Sequence, residues 1–355
     1  MTGPALAAPE SPLHVVHRGD GDGEAPELSV ILMLRNEAPT LPVSLDSLAR
    51  QETSFPFEVI WIDGASTDSS VEVIRDHPLT SQVATTIAVQ DPGNAGMAVA
   101  QELGVGLARA EILVFMQADV RVLDPGALES IRRCFDDPEV VGTSFIGLGP
   151  DRAFLEYDFW GQVFMSRFVG DRVEDDFDLK LNGVRRSAFN DVGGFDIERL
   201  PLGGNDFDFS MRLRGAGRIA APEVEAEHFH GLGKTHKPLG LLRKYCRNSE
   251  VAGATAVLYF RYRHRVPGYW SSLAQQLGVV ATCAAALVPP LWPFSPILLV
   301  ALALWWHRAA LRHVRSWKLP LVLPLGIAGL FAFAGYFTAG LVAGRTRFDF
   351  DNTMR

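Results

Sequence analysis

LSVILML, residues 28–34, gives way to the polar triplet Arg35-Asn36-Glu37, and the same change recurs where EVIWI (58–62) runs into Asp63-Gly64-Ala65-Ser66-Thr67-Asp68. Short runs that are apolar at every position and rich in β-branched residues fit strands covered on both faces. Val83–Val89 (VATTIAV) and Glu111–Met116 (EILVFM) continue the series at intervals of about 25–30 residues. Helical patterns lie between them: Leu41, Leu45 and Leu48 share one stripe after Thr40, and Ser69 to Glu72 reads as a capping box. Strand–helix alternation at this spacing predicts an α/β, Rossmann-like domain with a mostly parallel sheet. Ligands of such sheets sit at the carboxyl ends of the strands. Three polar clusters lie there: residues 35–37, 63–68 and 117–119.

Charge divides the chain. Residues 1–230 carry 18 basic and 38 acidic side chains, a net of −20, whereas residues 231–355 carry 15 against three, a net of +12. An acidic front half repels phosphate backbones, which excludes nucleic acid as its partner. Cys134, Cys246 and Cys283 stand far apart without CxxC spacing, so neither a disulfide scaffold nor a thiolate zinc site is expected. Residues 1–27, rich in Gly, Pro, Ala and acids, read as a flexible tail without the pattern of a signal peptide.

Beyond residue 265 the sequence turns apolar. Leu273–Trp306 has no charge across 34 residues, about 51 Å as a single helix, against a hydrocarbon core of about 30 Å. Pro289-Pro290-Leu291-Trp292-Pro293 would break that helix. Two membrane spans are therefore expected, near 271–288 and 294–307, and a third over 319–344. Arg261, Arg263 and Arg265 before the first span, and Arg308, Arg312, Arg315 and Lys318 after the second, place both flanks on the cytoplasmic side. The reading is a cytoplasmic domain over 28–230, a basic juxtamembrane segment over 231–270, three transmembrane helices over 271–344 and a tail over 345–355.

Several residues at the strand ends carry usable chemistry. Asp63 can accept hydrogen bonds from a base or ribose, although DGASTD is equally a βα turn with a capping Asp. Asn36 and Glu37 would line the same pocket. Asp119, in Gln117-Ala118-Asp119, ends a very apolar strand and can hold a divalent cation against phosphate oxygens, or cap a turn. Asp206 opens a helix ended by glycines, as a general base or an N-cap. Glu227-His228-Phe229-His230 alternates two histidines on one face of an extended segment, with His230 the candidate metal ligand. No GxGxxG, Walker A, GxSxG or HExxH motif occurs.

Taken in order, LSVILMLRNE (28–37), EVIWIDGASTD (58–68), FMQAD (115–119), NGVRRSAFNDVGGFD (182–196) and NDFDFSMRLRGAG (205–217) resemble family 2 glycosyltransferases of the GT-A fold. DGASTD and the C-terminal apolar segments resemble the membrane-anchored subset that includes succinoglycan-type exopolysaccharide enzymes. The resemblance implies a UDP- or GDP-sugar donor, a Mg²⁺ or Mn²⁺ ion, inversion at the anomeric carbon, and a lipid-linked saccharide or polysaccharide precursor as acceptor. Carried over by position, Asn36, Glu37 and Asp63 would contact the nucleotide, Gln117 and Asp119 the ribose, metal and diphosphate, and Asp206 would deprotonate the acceptor. Gln117 stands where the family's first DxD aspartate is usual, Asn205 where a Glu precedes the base, and Met97 where a cation often meets phosphate. Those differences motivate a competing reading, a nucleotide-sugar-binding membrane scaffold; a polyprenyl-phosphate sugar transferase is a second alternative.

Overall fold

The computed structural model describes residues 13–19, 24–90, 96–149, 153–166, 169–200, 204–229, 238–262 and 269–345. They divide into two compact units, the first built on Met1–Asp151, Gly170–Pro201 and Asn205–Lys234.

The first unit holds β1 (Leu13–Gly19), β2 (Leu28–Leu34), α1 (Leu41–Ala49), β3 (Phe57–Asp63), α2 (Ser70–Arg75), α3 (Leu79–Gln82) and β4 (Ala84–Gln90). After these come α4 (Gly96–Leu107), β5 (Ile112–Gln117), β6 (Val120–Val122), α5 (Ala127–Cys134), β7 (Val140–Thr143) and β8 (Phe145–Leu148). Together with α6 (Phe159–Met165), which belongs to the second unit, the series continues through β9 (Arg172–Asp176), β10 (Leu181–Arg185), α7 (Arg186–Asp191), α8 (Asn205–Ala216), β11 (Arg218–Ala220) and β12 (Glu225–His228). The main sheet has the order β1-β4-β3-β2-β5-β10-β7-β11, and β6-β12-β8-β9 form a second, smaller sheet. β4, β3, β2 and β5 are mutually parallel, as the strand–helix alternation requires.

Period-two alternation in these strands feeds two cores. Leu28, Val30, Leu32, Val59 and Trp61 join Leu41, Leu45 and Leu48 of α1 on one face. Ile31, Ile60, Ile62 and Phe115 meet Phe189, Phe195 and Phe209 on the other. The chain order reverses about β2, whose neighbours are β3 and β5, and that switch point is where a doubly wound sheet opens a crevice.

Two expectations change. Leu13–Gly19, read as tail, pairs antiparallel with β4 and covers its edge, with a register shift between Val15 and His17. The capping box at Ser69 does not form: Ser69 makes no side-chain cap bond, and Asp68 Oδ1 instead accepts the Ser70 N–H at 3.0 Å.

Both arginines of NGVRRS are structural. The Arg186 guanidinium donates to the carbonyl of Val105 in the last turn of α4 and to those of Ala108 and Ala110 beyond it. Arg185 does the same for Phe135, Asp137 and Val140 after α5. Each cation thus ties the segment that follows a helix to the junction of β10 and α7.

The second unit contains α9 (Pro238–Leu258), α10 (Tyr269–Ala285), α11 (Ser295–Trp306), α12 (Arg308–His313) and α13 (Val322–Ala343). α9 and α13 run side by side in the same direction: Gly329 faces the Tyr245 ring, and further along Gly253 faces Phe337 and Leu341. Leu319–Ala343 is long and apolar enough to cross a membrane, with a mean hydropathy of 1.8. The other two expected spans are helices of 17 and 12 residues, about 26 and 18 Å long. Among the described residues one helix is both long and apolar enough to cross a membrane, so three spans are not found.

Candidate functional site

The carboxyl ends of β2 and β3 are knitted together. Leu34 pairs with Asp63, and the Gly64 N–H donates to the Leu34 carbonyl at 2.9 Å. Asn36 adopts φ +53°, a left-handed conformation that Asn tolerates, and Ala65 follows at +58°. The Asn36 carboxamide oxygen accepts the Thr67 N–H at 2.8 Å, while its own N–H donates to Ser66 Oγ at 2.8 Å. Glu37 and Ala38 donate their N–H groups to Ser70 Oγ and Asp68 Oδ2. Thus the hydroxyls and Asp68 of DGASTD build the loop.

Asp63 is fully buried and accepts from the backbone N–H and the hydroxyl of Ser66. Burial pushes its carboxyl above the usual range; the Ser66 bonds oppose the rise, Asp68 adds to it and Arg35 opposes it. Glu37 turns one carboxylate oxygen to the Thr40 hydroxyl at 2.7 Å.

Gln117 ends β5 opposite Met33 of β2. Asp119, half-buried, occupies the turn that follows. That turn is pinned from two sides: Ser44 Oγ of α1 lies 2.6 and 2.7 Å from the carbonyls of Ala118 and Val120, and the Phe229 N–H donates to the Asp119 carbonyl. His228 Nε2 lies 3.1 Å from the Asp119 carboxylate. Histidine and aspartate do meet here, but through His228; His230 lies outside the described residues. Among the described residues no three His, Cys, Asp or Glu side chains form a metal cluster. A single carboxylate suits a divalent cation whose other ligands are phosphate oxygens and water, not one caged by protein.

Asp206 lies in the first turn of α8, half-buried, with Oδ1 accepting the Phe207 N–H at 2.8 Å. Facing it is a cluster that no sequence motif marked: Asp176, Asp178 and Lys180, in the connection from β9 to β10. Lys180 is ion-paired with Asp178. Burial raises the Asp206 carboxyl to about 6; the Phe207 N–H opposes this, Asp178 adds to it and Lys180 opposes it. Asp176 is also raised, by burial first and then by Asp178 and Asp206. Leu181 pairs antiparallel with Met116, and one more step of that register sets Lys180 level with Gln117. Asp63, Gln117, Asp119 and the Asp206–Lys180 group therefore gather at one rim of the sheet.

The N-terminus of α8 is held by an amide pair. Asn205 Nδ2 donates to Gln101 Oε1 of α4 at 2.8 Å, both residues being buried. Next to it, Glu102 accepts the Phe195 N–H at 2.6 Å, while Arg212 donates to the Val192 and Gly194 carbonyls. Burial lifts the Glu102 carboxyl, the Phe195 bond and Arg212 opposing. Asn205 thus has a matched neutral partner. Asn205→Leu is expected to strand Gln101 and lower stability by about 1–3 kcal/mol, read as a lower unfolding midpoint.

A doubly wound sheet with carboxylates along its open rim is a frame that binds ligands in the crevice at the carboxyl ends of its strands. The protein matches the sequence model of Glycosyl transferase family 2 over residues 29–193. It is 27% identical over 218 residues, 61% of this chain and 78% of the relative, to the PGL/p-HBAD biosynthesis glycosyltransferase of Mycobacterium bovis. Validoxylamine A glucosyltransferase of Streptomyces hygroscopicus is 28% identical, over 54% of this chain and 52% of that protein. Among solved structures, a mannosyltransferase from Pyrobaculum calidifontis in complex with GDP-Man and Mn²⁺ aligns over 91% of this chain and 88% of its own, at 19% identity and a TM-score of 0.49.

Proposed function

We propose that the protein is a membrane-bound inverting glycosyltransferase that moves a sugar from a UDP- or GDP-sugar to a lipid-linked saccharide acceptor. The observation that carries this reading is the gathering of Asp63, Asp119 and Asp206 at the switch-point rim. Asn36, Glu37 and Asp63 bind the nucleoside end of the donor. Asp119, with Gln117 beside it, faces the diphosphate and would hold Mg²⁺ or Mn²⁺, an ion that neutralises charge on the leaving group. Asp206 removes the proton from the acceptor hydroxyl as its oxygen bonds the anomeric carbon. The bond from that carbon to the diphosphate breaks on the opposite face, and the nucleoside diphosphate departs with the electron pair. A sugar hydroxyl is a poor nucleophile at neutral pH, so a positioned base accelerates its attack.

Membrane attachment is supported by the second unit. Leu287, Trp292, Phe294, Ile297, Trp317 and Val342 are all more than half exposed. Apolar surface on that scale is the mark of an interaction site, and the tryptophans suit a bilayer interface. Leu319–Ala343 would be its deepest element, and the basic residues Arg308, Arg312, Arg315 and Lys318 favour the cytoplasmic side.

The test uses the full chain in native membranes or detergent, radiolabelled UDP-glucose and GDP-mannose, Mg²⁺ or Mn²⁺, and a bacterial lipid extract. Label is expected in the lipid fraction with inverted anomeric configuration. Retained configuration, or donor-induced thermal stabilisation with no transfer under either cation, would overturn it.

A further inference from the structure

The connection between β9 and β10 is built with more constraint than a solvent loop needs. Asn182, with no exposed surface, ties it at both ends: Oδ1 accepts the Leu179 N–H at 2.8 Å, and Nδ2 donates to the Asp176 carbonyl at 2.9 Å and the Thr143 carbonyl at 3.1 Å. Asp175 and Leu179 hold φ of +54° and +63°, conformations that non-glycine residues adopt at a cost and that persist where surrounding structure enforces them. Phe177 and Leu179 are sunk in the core behind the sheet. Asp176, Asp178 and Lys180, alternating with them, are left half-buried on the side of Asp206.

We propose that Lys180 is a positioning residue for the proposed general base: carried on a connection that Asn182 clamps, and paired to Asp178, it keeps Asp206 ionised among neighbouring carboxylates. This inference rests on the base assignment made above. Three carboxylates in one half-buried group repel one another, and an added cation is what allows the reactive one to stay charged near neutrality. The charged groups facing Asp206 are Asp176, Asp178 and Lys180 from the β9–β10 connection. On α8 itself Asp208 is paired with Arg212, and α4 contributes Glu102 beside the Phe195 turn. Lys180 is the cation in this group that acts on Asp206. Burial works against its own charge, and Asp178, Asp176 and Asp206 more than offset that, holding the ammonium above its ordinary value.

The experiment is a ¹³C-carboxyl NMR titration of the full chain in detergent, with labelled aspartate and the Asp206 resonance assigned by its loss in Asp206→Asn. Asp206 is expected to titrate near 6 in the native protein, at least about one unit higher in Lys180→Met, and near the native position in Lys180→Arg. Transfer by Lys180→Met should then be about fivefold slower than native at pH 6 and recover towards the native rate at pH 9. A purely structural lysine would give a deficit at every pH. An Asp206 titration unmoved by Lys180→Met, or a rate deficit that persists at pH 9, overturns the inference alone. Native-level transfer by Asp206→Asn overturns the base assignment and this inference with it.

Discussion

Asp206→Asn is expected to transfer sugar about 10²–10⁴-fold more slowly than the native protein while keeping its fold and its affinity for the nucleotide sugar. The amide occupies the same volume and can still accept the Phe207 N–H that Oδ1 accepts, but it takes no proton from the acceptor. The proposed base works only when ionised, so kcat/KM of the native protein should fall as pH drops through about 6. Stability moves the other way. A carboxyl whose pKa rises on folding, here from 3.8 to about 6, holds its proton more tightly in the folded chain, and its ionisation therefore destabilises the fold across that window. Above pH 6 Asp206→Asn should melt no lower than native, and higher if nothing else is lost. Isotope transfer and calorimetry on the same samples check both halves. Native-level turnover by the variant would remove Asp206 from the reaction.

Gly253→Val and Gly340→Val are expected to disrupt the helical unit. α9 and α13 touch through bare backbone: a Cβ on Gly253 would lie 2.0 Å from the Phe337 carbonyl oxygen, and one on Gly340 2.0 Å from that of Glu250. Neither obstacle is a side chain that can swing aside, so the helices must separate along their length. Overpacking of this kind costs about 3 kcal/mol or more, a large share of a normal folding margin. Gly335→Ala is the control, because nothing lies within 4 Å of its added carbon. It should melt at or slightly above the native temperature. A Gly253→Val protein that melts with the native one would mean that α9 and α13 do not pack in this way.

The parallel strands were legible because burial on both faces leaves a plain trace, an apolar run that ends abruptly in polar residues, as at Leu34-Arg35 and Ile62-Asp63. Asp119 and Asp206 were legible as carboxylates next to such boundaries. Lys180 and its aspartates were not, since Phe177 and Leu179 interleave with them and their partner Asp206 lies 26 residues beyond Lys180. Only the antiparallel return of β10 against β5 brings that connection to the rim. Of the two histidines in Glu227-His228-Phe229-His230, spacing alone does not say which meets Asp119; the pairing of His228 with Val120 does. The break at Pro289-Pro290-Leu291-Trp292-Pro293 was legible too, since proline cannot continue a helix, and the flanking helices Tyr269–Ala285 and Ser295–Trp306 end within a few residues of the expected bounds.

The interlocked loops after β2 and β3 have a thermodynamic corollary. Asn36 and Glu37 are already held by Ser66, Thr67 and Ser70, so the nucleoside proposed to dock there would freeze few additional rotamers. Calorimetry should then find donor association driven by enthalpy with only a small entropic penalty, and heats from uridine and guanosine diphosphates that differ sharply, since a cradle with no slack cannot remould itself around the larger purine.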